Sequence, residues 1–226
     1  MPDGNVQKKG PRPRSADAEQ TRRSIIDAAR AEFAEKGLSG ARVDEIAART
    51  RTTKPMIYYY FESKEKLYAA VMEETYGGMR DVEQNLQLEH LPPIEAMRRL
   101  VEVTFDYHAA TPEYVRLISI ENIHEARHIV GMASIARRNA VVIGIVGDLL
   151  RRGEREGVFR AGVDPIDMHL LISSFCFYRV SNSHTWGLIF GRELQNPEHA
   201  AAQRQMIVEA VLAYLRPAIA NEAGAA

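Results

Sequence analysis

Apolar residues recur at helical spacing along most of the chain. Ile25, Ile26, Ala29 and Phe33 form one stripe, and Asp17 with Gln20 three positions on predicts a capped start for the helix that carries it. Gly37 suits the left-handed end of that helix. Val43, Ile46, Ala47 and Thr50 fall at offsets 0, 3, 4 and 7 and predict a short second helix. Arg51-Thr52-Thr53 reads as a turn, with Thr53 placed to cap a third, very short helix. Pro55 fits its first turn, where no amide hydrogen bond is lost, and Ile57 and Phe61 lie i,i+4 on its inward face. Ser63 is placed to cap a fourth helix, with Leu67, Tyr68, Val71 and Met72 facing a core.

Longer segments follow. Pro92-Pro93 opens a helix carrying Ile94, Met97, Leu100, Val101 and Phe105, and Pro112 opens another with Val115, Ile118 and Ile120. Residues 132–152 read as a helix because both flanks of the Val141–Val146 run are helical. Residues 157–164 read as a loop, and Asp164-Pro165 starts a helix through Tyr178 or beyond. Ile207, Ala210, Val211 and Tyr214 mark the last helix. Gly77-Gly78 sits inside the fourth helical pattern and reads as an end, a kink or a hinge, since each glycine weakens a helix by roughly 1 kcal/mol. With no repeat and no hairpin pattern, the expected class is all-α. It comprises a basic arm over 1–16, a three-helix helix-turn-helix domain over 17–77, and a larger helical domain over 78–222.

Composition narrows this. The chain has 226 residues, 46% hydrophobic and 26% charged, which suits a packed core. Its longest uncharged run, Val180–Gly191, is too short and polar for a bilayer, and no apolar segment follows the basic start, so a cytoplasmic protein without a membrane partner is expected. The single Cys176 excludes a disulfide framework and a cysteine-rich zinc site. The net charge of −1 conceals an asymmetry. Residues 1–66 hold 14 Lys/Arg against 10 Asp/Glu, a balance of +4, and residues 67–226 hold 15 against 20, a balance of −5. A basic end on an acidic body points to a polyanion partner for that end; an ordinary solvated surface with a basic tail is the plainer alternative.

Two short helices joined by a tight turn inside a three-helix apolar unit describe a helix-turn-helix, whose third helix suits a DNA major groove. Lys54 can meet a phosphate or a guanine edge, and Pro55 and Met56 can touch a thymine methyl. Tyr58 and Tyr59 offer rings and hydroxyls to the backbone, and Lys64 lies by the start of the fourth helix. Tyr58-Tyr59-Tyr60 cannot all point inward, because successive helix residues differ by about 100°. At least one ring must face solvent or a partner.

Residues 20–70 closely resemble the N-terminal domain of the TetR family of bacterial transcriptional regulators, through TRRSIIDAARAEFAEKG, VDEIAART and TTKPMIYYYFESKEKLYAAV. The resemblance implies a homodimer on a palindromic double-stranded operator and a C-terminal domain whose small-molecule effector lowers DNA affinity. It implies DNA contacts by Arg42, Thr53, Lys54, Pro55, Met56, Tyr58, Tyr59 and Lys64. One departure stands out: Arg51-Thr52 replace the usual Gly-Val of the turn, so that either Arg51 takes positive φ at some cost or the turn differs slightly. Residues 105–128 resemble the ligand-domain helices of a subgroup that includes pyrimidine- and nicotinate-catabolism repressors, without naming a ligand.

Within ENIHEARH (121–128), Glu121 with His124 and Glu125 with His128 have the i,i+3 spacing of di-iron bundles, but no second Glu-x-x-His helix exists to complete one. These side chains can satisfy one another, line a pocket, or hold a single metal with a distant carboxylate; no cofactor is expected. The expected effector-binding residues are Phe105, His108, Asn122, His124, His128, Phe175, Tyr178, Asn182 and Trp186, an aromatic wall with a few polar groups suited to a small aromatic or carboxylated molecule. Leu170, Leu171, Phe175, Ile207, Val211 and Leu215 would suit a four-helix seam between two copies through the last two helices, as the resemblance implies. The functional expectation is a ligand-responsive repressor that is not an enzyme. An activator or low-specificity DNA binder is the alternative, and an all-α metal-binding enzyme the remote one.

Overall fold

A computed structural model describes residues 14–217, with side chains described from Asp17 onward. Residues 1–13 of the expected arm and 218–222 of the expected larger domain lie outside the described residues. The chain divides into two compact units, one ending at Val71 and the other beginning at Met72. Among the described residues the regular structure is helical: ten α-helices and one 3-10 turn.

The first unit holds α1 (Arg14–Gly40), α2 (Val43–Arg49), α3 (Lys54–Phe61) and the start of α4 (Lys64–Gln84). Helix α1 packs on α2, and α2 on α3. Ile25, Ile26, Phe33, Ile46, Ile57 and Leu67 are buried in this unit, each worth roughly 1.5–3 kcal/mol. Phe33 meets Tyr68 edge to face with ring centres 5.1 Å apart. The ends of these elements differ in detail from the sequence pattern. Helix α1 starts at Arg14, ahead of the expected Asp17 cap, and leaves helical geometry at Gly37 (φ 65°). Thr53 is the N-cap of α3 by backbone geometry, but its hydroxyl makes no capping bond. Ser63 does cap α4, accepting from the Lys66 amide at 3.1 Å. Arg51 is not forced into positive φ; the left-handed position in this region is Glu62 (φ 64°), at the C-cap of α3.

The second unit takes the rest of α4, then α5 (Pro93–Ala110), α6 (Pro112–Ile123), α7 (Ala133–Arg155), α8 (Pro165–Ser181), α9 (Ser183–Phe190) and α10 (Pro197–Leu215). Helix α8 packs against α5, α6, α7 and α10. The main core gathers Leu100, Val146, Met168, Ile172, Val208 and Val211 among others. Asp164 caps α8 by accepting from the Ile166 and Asp167 amides, and Asn196 caps α10 through Glu198 N.

Three expectations are corrected here. Helix α4 runs unbroken through Gly77-Gly78. A Cβ on Gly77 would lie 2.6 Å from the Arg138 guanidinium, and one on Gly78 2.9 Å from the Tyr107 hydroxyl. The pair therefore admits close neighbours from α7 and α5 and does not break the helix. Helix α6 ends at Ile123, and Glu125 and Ala126 are left-handed, so ENIHEARH does not lie along one helical face. Ile207, Val211 and Leu215 are buried in the unit's own core and have no surface left for a seam, whereas Leu170 and Leu171 are exposed. The outward apolar residues of α10 are Met206 and Tyr214.

Candidate nucleic-acid interface

Helix α3 divides its residues cleanly. Ile57 and Phe61 are buried, while Thr53, Lys54, Pro55, Met56, Tyr58 and Tyr59 are exposed. Tyr59 stands 77% exposed, far above what a packed aromatic would show. Tyr60 is half-buried and meets Tyr59 edge to face at 5.5 Å. The short rod thus presents a cation, two phenols, a thioether and a proline ring on one side. Arg42 is exposed at the N-cap of α2.

The two lysines differ. Lys54 Nζ pairs with Asp44 Oδ2 at 3.1 Å across the α2–α3 turn, and both side chains remain about half exposed. Lys64 is half-buried and donates to the Ala41 carbonyl at 3.1 Å, so it fastens the α1–α2 connection to the start of α4. Lys54, Lys64, Arg42, Tyr58, Asp44 and Glu62 line one shallow groove.

Beneath this surface lies a residue that the apolar pattern does not announce. Glu32 is fully buried, and one of its oxygens accepts from the Arg42 amide at 3.2 Å and from Lys36 at 2.9 Å. The other carboxylate oxygen faces Arg49 at 3.1 Å as an ion pair and makes no hydrogen bond. Arg42 precedes α2 and Arg49 ends it, so a single carboxylate grips both ends of that helix. Burial pushes the Glu32 pKa up, but Lys36, the Arg42 amide and Arg49 outweigh it and hold the carboxyl below its ordinary range.

The second unit scatters the nine expected effector residues. Phe105 is buried under the Arg179 guanidinium, 4.4 Å above its ring, and Phe175 packs against the main core. His108 is buried, donates to the Thr104 carbonyl at 2.7 Å, and meets Tyr107, Tyr114 and Phe177 edge to face. Burial holds its pKa down, so the imidazole is neutral at pH 7. Tyr178, Asn182 and Trp186 form a separate cluster on α8–α9, where the Trp186 indole donates to the Tyr178 hydroxyl at 3.1 Å. Asn122 bonds back to the Ile118 carbonyl. His128 donates its amide and its Nδ1 to buried Glu121, at 2.8 and 3.0 Å, while His124 faces Arg127. Among the described residues no group of three His, Cys, Asp or Glu side chains could hold a metal ion.

Around His108 lies a polar cluster missing from the expected set. Arg80 and Glu83 on α4 are both buried and paired at 2.6 Å, Arg80 also reaches His169 Nε2 at 3.0 Å, and Arg80 hydrogen-bonds Tyr114. The ion pair lies outside hydrogen-bond geometry, so both Glu83 oxygens and Arg80 Nε are left without a hydrogen bond. Tyr76 is pushed up to about 12 by burial and by nearby Tyr114 and Glu121. The i,i+3 spacing of Arg80 and Glu83 is visible in the sequence, but their burial is not.

A chain whose described residues are helical, with a turn-linked rod of exposed cation and aromatics in one unit and buried polar groups in a larger second unit, has the build of a DNA-binding transcriptional regulator. Family models match at residues 25–71 (bacterial regulatory proteins, TetR family) and 93–211 (tetracyclin repressor-like, C-terminal domain). The transcriptional repressor NicS of Pseudomonas putida is 31% identical over 203 residues, 90% of this chain and 96% of that protein. The repressor SCO4008 of Streptomyces coelicolor is 32% identical over 174 residues, 73% of this chain and 80% of that one. The crystal structure of the transcriptional regulator SCO4942 from the same species covers 86% of this chain and 98% of that chain, with 30% identity and a TM-score of 0.64. The chain belongs to the TetR family, whose members here are transcriptional regulators and not enzymes. Among the described residues no helix is long and apolar enough to cross a membrane.

Proposed function

We propose that the protein is a cytoplasmic homodimeric repressor that reads a palindromic operator with α3 and leaves it when a small effector occupies the second unit. The exposed face of α3 carries this reading. A helix that hides only Ile57 and Phe61 and leaves Met56, Tyr58 and Tyr59 in water has a surface better matched to a groove than to solvent. Lys54 meets a base edge, Pro55 and Met56 a thymine methyl, and Tyr58, Tyr59, Thr53 and Arg42 the backbone. Lys64 serves as a brace, given its bond to Ala41.

The effector site is centred on His108, with Phe105 beside it and with Arg80, Glu83, Tyr114 and His169 added to the expected residues. Buried polar atoms without hydrogen bonds cost roughly 1–3 kcal/mol each, a cost that a ligand removes by pairing with them. Tyr178, Asn182 and Trp186 belong with the exposed apolar face of α8, which with Met206 and Tyr214 of α10 forms the dimer seam. Selection of duplexes from a random-sequence pool by the full chain tests the whole. The expected result is an inverted repeat bound by two chains, with half-sites about 10 base pairs, or a multiple, apart. Recovery of unrelated sequences bound by single chains would refute it.

A further inference from the structure

We infer that Asp44 is a specificity-determining residue, which steers the Lys54 ammonium toward uncharged base acceptors and away from phosphates. This rests on the reading of α3 as the DNA-contacting helix. The observation is the Lys54–Asp44 pair, 3.1 Å across the α2–α3 turn, with both side chains about half exposed in the groove that also holds Arg42 and Tyr58. A surface built only for affinity would not place a carboxylate there. Phosphate attraction is the same on every sequence, and a carboxylate that holds the ammonium competes with any phosphate for it. The return is discrimination, obtained by penalising the wrong partner.

The chemistry follows from the donor count. An ammonium has three N–H groups, so Lys54 can keep its bond to Asp44 and still donate to a second acceptor. If that acceptor is a guanine O6 or N7, no new charge comes near the carboxylate. If it is a phosphate, two anions crowd one cation, and the phosphate must displace Asp44 or bear its repulsion. Lys54 is thereby withheld from the sequence-independent contact that its flexible stem would otherwise find. Neighbouring Glu62 does not share the role, since Lys66 occupies it.

The test compares the full chain with Asp44→Asn on two probes, a duplex selected by the wild type from a random pool and a random-sequence duplex of equal length. Asp44→Asn is expected to tighten binding to the random duplex about three- to tenfold and to steepen its salt dependence by about 0.9 per phosphate gained. Binding to the selected duplex should change less than about twofold, so that the preference falls by nearly the whole gain. In a Lys54→Met background the gain should vanish. Equal tightening on both probes, no change on either, or a gain that persists without Lys54 would overturn the inference and leave the α3 reading intact. A wild type with no preference between the probes would instead remove the reading on which it rests.

Discussion

The two units bury charge in different ways. In the small unit one carboxylate, Glu32, sits at the centre of three favourable contacts and is held ionised by them. In the large unit the Arg80–Glu83 pair is equally buried, yet three of its polar atoms make no hydrogen bond, against one of Glu32. The first arrangement fixes a frame, because one carboxylate oxygen accepts two hydrogen bonds and the other, though without a hydrogen bond, faces the Arg49 guanidinium. The second leaves three such atoms, which on the proposed reading are capacity for another partner. A reading head needs the one and a ligand-responsive core needs the other.

The largest effect expected from breaking this contrast is at Arg80. Arg80→Met leaves Glu83 a buried carboxylate with only His169, 3.7 Å away, to face it, and should cost about 3–5 kcal/mol in chemical denaturation. The double change Arg80→Met/Glu83→Leu should restore the wild-type midpoint or raise it, since a well-packed apolar pair avoids the desolvation of both charges. A double variant as damaged as the single one would make the pair a structural brace and erase the contrast.

A smaller loss, about 1–3 kcal/mol, is expected for Glu32→Gln, which keeps the size but loses the charge that Lys36 and Arg49 face. The sign with pH is fixed by the lowered pKa. The stabilisation from Glu32 is complete above the ordinary carboxylate range and is lost as pH falls through the depressed folded value. The gap between wild type and Glu32→Gln should therefore close in thermal melts on acidification below the ordinary carboxylate range. A gap that is constant with pH would show that shape, not charge, is what Glu32 supplies.

The small unit was largely legible because its roles follow from period and local chemistry. Ile57 and Phe61 at i,i+4 fix the inward face of α3, and the tyrosine run must then turn outward. Lys64 is the exception there: nothing in its neighbours shows that the Ala41 carbonyl, 23 residues away, will take its ammonium. The large unit hid more, because its decisive contacts are long-range. The Gly77-Gly78 pair reads as a break until Arg138 and Tyr107 are seen against it. Glu121 and His128 are partners only because the chain turns left-handed at Glu125 and Ala126, which no helical spacing foretells. His169 lies 89 residues from the Arg80 it meets.

The central claim is that the outward side chains of α3 hold the operator. Replacing Lys54, Tyr58 and Tyr59 together by alanine and titrating the wild-type-selected duplex tests it most directly. Affinity should fall by roughly 100-fold or more while the melting temperature stays at the wild-type value, because none of the three is buried. Affinity within about threefold of the wild type, on a folded protein, would contradict it.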